Sequence, residues 1–499
     1  MPRKTAPLGL TLDPTSDVPL HRQIGHQIRA AILDRRLAPG LKLPSSRLMA
    51  AELGCARGTI LAAVDQLVAE GYVVAQAASG LSVATNLPDE MLVSPKAAGR
   101  RSPTSPGTPV LSRRTSAALA AQTIEQSFDD SPIAFPTGQP DRAAFPYALW
   151  AKLLEREWRQ PPWAIAGALH PFGHPGLRDA IASYLGMARG FRCEASAVVV
   201  TSGMRQSLSL FARLVLDAGQ EAWIEEPGFV GTHEAMAMAE VKAVPVPIDA
   251  QGFPVAAALK RAAHARLAVV APSHQFPLGT VLGLQRRLEL LSWAERTGSW
   301  IAEDDFDGEY RYAGRPLAPL RALDRSGRVA YLGSFSKLLF PALRLSFVVL
   351  PASLAAAAQC LMTGTATRAS LLGQGALARF ITDGHLAAHL RRTRLLYARR
   401  QQALIAAADR PLKGLLDITP DPGGMHLIAR PSAAIAATFD DHAIAAACAA
   451  RGVSVSPLSA CYSGRTKKHG LILGYAGTPE EDMPAAVATL RGIVRAGLS

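Results

Sequence analysis

Gly333-Ser334-Phe335-Ser336-Lys337, followed by Arg344, is the stretch that decides how this chain of 499 residues is read. Ser334 and Ser336 offer hydroxyl donors and Arg344 a guanidinium fork, the groups that hold a phosphate dianion. A lysine among them has what it needs to lose its proton, a neighbouring cation or a desolvated pocket, and a partly deprotonated amine bonds covalently to an aldehyde. An aldehyde and a phosphate on one small molecule point to pyridoxal phosphate.

Ser299-Trp300-Ile301-Ala302-Glu303-Asp304-Asp305-Phe306 begins as a buried strand and ends in acids, about one βαβ interval before the lysine. A carboxylate at the carboxyl end of such a strand can pair with the ring nitrogen of the cofactor and keep it protonated, so that the ring draws electrons. Asp304 is the expected partner, and Lys337 with Asp304 the expected catalytic pair.

From residue 132 to 499 short apolar runs alternate with helical segments. The runs are Ala197–Val200, Glu221–Ile224, Leu267–Val270, Trp300–Ala302 and Val329–Leu332; Met204–Leu216 and Gln285–Thr297 are two of the helices. Continuous apolar strands between helices predict a mostly parallel sheet covered on both faces, an α/β/α domain with ligands at the carboxyl ends of its strands. Three turns fall at such ends. Thr201-Ser202-Gly203-Met204 opens a helix and presents free amides to a phosphate. Glu225-Glu226-Pro227-Gly228-Phe229 can lay Phe229 on the pyridine ring, and Pro272-Ser273-His274-Gln275-Phe276-Pro277 offers His274 or Gln275 to the phenolic oxygen.

Residues 19–85 predict a different, smaller domain. Leu20, Ile24, Ile28, Ile32 and Leu33 share a face of a first helix ending near Pro39-Gly40. Ser45 or Ser46 caps a second, short helix through Leu48, Ala51 and Leu53. A third runs from Arg57 to Glu70 with Ile60, Val64, Leu67 and Val68 inward, and two strands, Tyr72–Ala75 and Leu81–Ala84, close a hairpin around Ser79-Gly80. This is the order of a winged helix-turn-helix. Residues 1–18 are an N-terminal tail. Residues 86–131, rich in Pro, Ser and Arg without apolar periodicity, read as a flexible linker.

Composition agrees with two domains. At 49% hydrophobic residues the chain has ample material for cores, and its length exceeds one ordinary core. A formal charge of +13 favours a polyanionic partner, and residues 1–120 hold fourteen Lys and Arg against eight Asp and Glu. Five scattered cysteines lack metal or redox spacing, so neither metal nor disulfide is expected. No uncharged apolar run of eighteen residues and no apolar leader after Met1-Pro2-Arg3-Lys4 predict a cytoplasmic protein without membrane contact.

The words Pro44-Ser45-Ser46-Arg47, Glu52-Leu53-Gly54, Arg57-Gly58-Thr59-Ile60 and Leu67-Val68-Ala69-Glu70-Gly71-Tyr72 resemble the GntR-type winged helix. That resemblance implies DNA contacts through Arg47, Arg57, Thr59 and Gly80, with a double-stranded operator as partner. Two departures stand out: Ala56 where a capping serine is usual, and Gly58 in the first turn of the recognition helix. Pro-Ser-His-Gln-Phe-Pro, Glu-Asp-Asp-Phe-Asp and Gly-Ser-Phe-Ser-Lys with its trailing arginine resemble fold-type I, class I/II aminotransferases, and the two-part chain looks like a MocR/GabR-type regulator.

The resemblance implies that Lys337 carries the cofactor, that Asp304 pairs with its ring nitrogen, and that Ser202, Gly203, Met204, Ser334, Ser336 and Arg344 hold its phosphate. It also implies a homodimer, with domains crossed between partners or not. Phe306 stands where the family has a tyrosine on the phenolic oxygen, and Phe229 where a tyrosine often stacks. Leu471-Ile472-Leu473-Gly474-Tyr475 lacks the arginine that clamps a substrate carboxylate, a role left to Arg368 or Arg465. The expected function is transcriptional regulation with an amine or amino acid sensed by imine exchange at the cofactor. A working aminotransferase carrying a DNA-binding head, and a sensor of pyridoxal phosphate itself, are the alternatives.

Overall fold

The structure, a computed structural model, describes residues 9–76, 80–87, 111–121, 134–159, 170–314, 318–365, 367–464 and 466–497. Arg465, Ser79, the first eight residues and most of 86–131 lie outside them. The chain divides into two compact units, Met1–Pro109 and Val110–Ser499.

The first unit contains α1 (Leu20–Leu33), α2 (Ser46–Glu52), α3 (Arg57–Ala69) and an antiparallel hairpin of β1 (Val73–Gln76) and β2 (Gly80–Val83). Ser45 starts α2 by accepting a hydrogen bond from the Leu48 amide at 3.3 Å. Ala56 starts α3 with no side-chain cap, as its sequence implies. Ile24, Ile28, Ile32, Ile60, Val64 and Leu67 are buried together with Tyr72 and Val83.

Two residues expected inside are not. Leu33 and Val68 are exposed, as is Leu48, while Met49 and Ala63 are buried. The reason is helical register: Ile60, Ala63, Val64 and Leu67 form one i, i+3, i+4, i+7 stripe, and Val68 falls beside it. The first helix also ends early, at Leu33, because Arg35 turns the backbone to a φ of 58°. Arg29 on α1 pairs with Glu70 just past α3 and lies 5.5 Å from the Tyr72 ring, tying both helices to the hairpin.

The second unit is built on a seven-stranded sheet. Its strands are β3 (Val198–Thr201), β4 (Glu221–Glu226), β5 (Lys242–Pro247), β6 (Leu267–Val270), β7 (Trp300–Asp305), β8 (Val329–Ser334) and β9 (Ser346–Val349), in the order β3-β9-β8-β7-β6-β4-β5. β5, β4, β6, β7 and β8 are mutually parallel, while β9 runs antiparallel to both its neighbours. Every residue of β3, β6, β8 and β9 is buried, the signature of a sheet covered on both faces. The strands expected from the sequence are all present. β5 escapes such a reading because it carries two prolines, which only an edge strand tolerates.

A smaller antiparallel sheet follows: β10 (Leu416–Ile418), β11 (His426–Pro431), β12 (Ser456–Pro457) and β13 (Leu471–Gly474), ordered β10-β11-β13-β12.

Part of the expected linker is folded. Arg113–Ala121 forms a helix, α4, capped by Ser112, whose Oγ accepts from the Thr115 amide at 3.2 Å. It packs against the helix Val230–Met238 and belongs to the second unit. The alanine-rich run Ala117–Ala121 supplies the helix propensity that a count of Pro, Ser and Arg over the whole stretch conceals.

Candidate functional site

The carboxyl ends of β3, β4, β7 and β8 converge on a cavity of about 2570 Å³, lined by Ser202, Gly203, Met204, Phe229, Asp304, Phe306, Ser334, Ser336, Lys337 and Arg344 among others. These ten residues come from separate stretches of the chain, and the sheet gathers them because parallel strands all present the same end to one face.

Lys337 follows β8 by three residues, and its Nζ donates to the carbonyl oxygen of Gly138 at 2.8 Å. Burial lowers its proton affinity and the nearby Arg205 guanidinium does the same, against the pull of Asp307 and Asp304. Asp304, near the end of β7, is 6% exposed, and its Oδ1 has no hydrogen-bond partner among the described residues. Burial holds its proton affinity well above the ordinary carboxyl range, reinforced by Asp305, Glu225 and Asp307. A buried carboxyl with an unsatisfied oxygen suits a protonated ring nitrogen.

The opposite end of the cavity suits phosphate. Gly203 opens the helix Met204–Val215 with φ 142°, and a Cβ on it would lie 3.6 Å from the Arg344 guanidinium. Ser334 Oγ accepts from Ser346 Oγ at 3.1 Å. The Ser202 hydroxyl and amide are both held by Gln206 Oε1, the hydroxyl at 2.7 Å. Arg344 takes a left-handed backbone, φ 49°. A lysine amine, a buried acid with one unpartnered oxygen and a guanidinium with helix-start amides therefore fit the aldehyde, ring nitrogen and phosphate of pyridoxal phosphate.

His274 and Gln275 are not brought to this cavity. His274 Nδ1 faces Asp307 at 3.0 Å and its Nε2 faces Asp421 at 3.2 Å. Burial alone would lower its proton affinity, but Asp307 and Asp421 raise it to about 10. Gln275 spends its amide on the Pro227 carbonyl at 2.7 Å and its oxygen on the Leu278 amide at 3.1 Å. The correction has a plain cause: both side chains brace the loop from behind, and Phe276 is the residue of that word that enters the cavity. Its ring lies 6.4 Å from Phe229 and 6.1 Å from Phe306. Arg368 is exposed and does not line the cavity.

Sequence reasoning missed Gly138, Gln206 and Phe276. Only Phe276 carried a signal, since it sits in a word already singled out.

In the first unit Arg47, Arg57 and Gly80 are exposed and Thr59 is half-buried. Arg57 Nε donates to Ser46 Oγ at 3.2 Å, linking the start of α3 to the start of α2. Gly80 has φ 84°, a conformation open to glycine and little else, and a Cβ placed there would meet no atom within 4 Å.

Two family models match the chain: Bacterial regulatory proteins, gntR family, over residues 20–83, and Aminotransferase class I and II over residues 151–490. The probable rhizopine catabolism regulatory protein MocR of Rhizobium meliloti is 40% identical over 482 residues, covering 97% of this chain and 95% of that protein. The HTH-type pyridoxine biosynthesis transcriptional regulator PdxR of Corynebacterium glutamicum is 30% identical, covering 99% of this chain and 100% of that protein. Among solved structures, the kynurenine aminotransferase of Pyrococcus horikoshii shares the fold, with a TM-score of 0.66 at 23% identity over 83% of this chain and 99% of that one. A regulator's head and an aminotransferase body thus account for the two units, and the chain belongs to the MocR-type family of HTH transcriptional regulators, in which a GntR-type DNA-binding domain is joined to a class I and II aminotransferase domain.

Proposed function

We propose that this regulator binds pyridoxal phosphate in its second unit and senses a small amine or amino acid there, with operator DNA bound by the first. The observation that carries the reading is the meeting of the Lys337 amine, the unpartnered Asp304 Oδ1 and the Arg344 guanidinium around one cavity. Pyridoxal phosphate, if bound there, would be held by Lys337 and would supply an aldehyde carbon able to exchange one primary amine for another without change of oxidation state.

The residues divide the work. Asp304 holds the ring nitrogen's proton, Phe229 and Phe306 exclude water from the ring, and Ser202, Gly203, Met204, Ser334, Ser336 and Arg344 anchor the phosphate. Lys337, its proton affinity lowered by burial, gives up its proton more readily than a solvated lysine. Arg47, Arg57, Thr59 and Gly80 face the operator. The domains run from 19 to 85 and from the folded helix Arg113–Ala121 onward, and the protein acts as a cytoplasmic homodimer whose two heads read two half-sites. Among the described residues no helix is long and apolar enough to cross a membrane. Coupling requires only that the effector prefer one arrangement of the dimer, and so one spacing of the heads.

The test is to load the purified protein with pyridoxal phosphate, follow its visible absorbance while amines and amino acids are added, and measure operator binding in parallel. A protein that takes up no cofactor, or whose operator affinity ignores every amine that changes the spectrum, removes the reading. The kinship with a regulator named for pyridoxine biosynthesis favours a second reading, in which the cofactor is itself the signal. Operator affinity that follows pyridoxal phosphate alone separates the two.

A further inference from the structure

We infer that the molecule sensed beside Lys337 is a primary amine whose remainder carries no carboxylate, an inference that rests on the cofactor reading above. The wall of the cavity beside the lysine is apolar. Phe276 is its centre, flanked by Phe229 and Phe306 and lying 5.2 Å from the His426 ring. Behind it Leu458, Cys461, Tyr462 and Ile472 form one buried cluster. Ile472, 1% exposed, lines the same cavity as Lys337.

Hydrogen bonds bring this wall close to the lysine nitrogen. The carbonyl of Gly138 receives Lys337 Nζ. Its neighbour Thr137 donates from Oγ1 to the Ile472 carbonyl at 3.3 Å and lies 3.0 Å from Ser456 Oγ. The backbone between Lys337 and Ile472 is therefore one short bridge, and its hydroxyls already serve each other. His426 is the basic side chain packed against Phe276. Burial and the facing His274 lower its proton affinity, Asp307 and Asp421 pull the other way, and its Nε2 is engaged with the Pro277 carbonyl at 2.9 Å.

Three of the arginines that line the cavity are accounted for. Arg205, whose charge is felt at Lys337, pairs with Glu234 and lies 5.5 Å over the Phe229 ring. Arg400 pairs with Asp141 at 2.5 Å, and Arg344 stands at the phosphate end beside Gly203. A carboxylate on the sensed molecule would be desolvated against Phe276 and Ile472, and neither these side chains nor Leu458, Cys461 and Tyr462 behind them carry a positive charge. A hydrocarbon or hydroxylated remainder meets no such penalty.

Matched pairs test this, using the cofactor-loaded full-length protein and its visible spectrum as readout: ethanolamine against serine, and 3-methylbutylamine against leucine. Dissociation constants are referred to the unprotonated amine, so that differing amine basicities do not decide the outcome. In each pair the amine is expected to bind about tenfold tighter or more. Coloured protein that prefers serine and leucine, or responds to neither member of either pair, overturns this inference and leaves cofactor binding standing. Protein that never gains the borohydride-trappable band overturns the cofactor reading and this inference with it. Ile472→Arg should turn the order toward the amino acids; an unchanged order counts against the wall as the selector. Arg205→Gln should leave the order as it is, and selective loss of the amino acids' affinity would instead make Arg205 their clamp.

Discussion

The Lys337 amine and the Gly138 carbonyl, 199 residues apart in the chain, meet at 2.8 Å. Gly138 has φ 66°, and a Cβ there would come within 2.7 Å of the lysine nitrogen. Glycine is thus required twice, by its backbone and by the approach of the amine. Gly138→Ala is expected to cost about 1–2 kcal/mol of stability and to reduce cofactor occupancy. A thermal melt and an absorbance titration measure the two, and wild-type occupancy would disconnect Gly138 from the site.

Lys337→Ala should remove the visible band entirely while leaving the far-ultraviolet dichroism unchanged. A band that persists and is still trapped by borohydride would mean that another amine carries the cofactor.

Asp304→Asn keeps the shape of the buried side chain and removes its ability to become an anion. Loss of a charge-assisted hydrogen bond of roughly 2 kcal/mol predicts cofactor affinity weaker by about thirtyfold, read by equilibrium dialysis. Equal affinity in the two proteins would show that the unpartnered Oδ1 is not the ring-nitrogen acceptor.

The His274 imidazolium between Asp307 and Asp421 predicts a pH-dependent stability. Its proton affinity in the folded protein is raised to about 10 from an ordinary 6.5. A raised value means that the contribution is complete below about pH 6.5 and lost as pH climbs through 10. Urea unfolding of the wild type and of His274→Gln should therefore differ by a margin that shrinks between pH 7 and 10, by on the order of 3 kcal/mol. A constant margin would indicate a neutral ring.

Arg57→Ala should weaken operator binding and lower the salt dependence by about one counter-ion, with cofactor loading intact. Fluorescence anisotropy at several salt concentrations reports both. A parallel loss of cofactor would mean that the two units do not work separately.

Much of this was legible in advance because the informative residues are local words at strand ends. Ser334 ends one buried strand with Ser336 and Lys337 just after it, and Asp304 lies near the end of another, so their convergence follows from parallel topology alone. Gly138 was not legible, since it reaches the lysine through tertiary packing and sits in no strand. His274 was misplaced because a polar residue in a binding word looks like a ligand, and nothing local reveals two carboxylates waiting behind it. In the head, Ala63 is buried and Val68 is exposed for a similar reason. Angular position on the helix, not side-chain size, decides burial there.

Arg344 holds a left-handed backbone that glycine would adopt freely, at a penalty of about 1 kcal/mol. The fold accepts that strain at the position where a guanidinium meets the start of the helix Met204–Val215. Robustness and occupancy therefore pull against each other here: relaxing this corner would make a sturdier protein with a poorer grip on the proposed phosphate, so a screen for heat resistance alone would tend to select against the site.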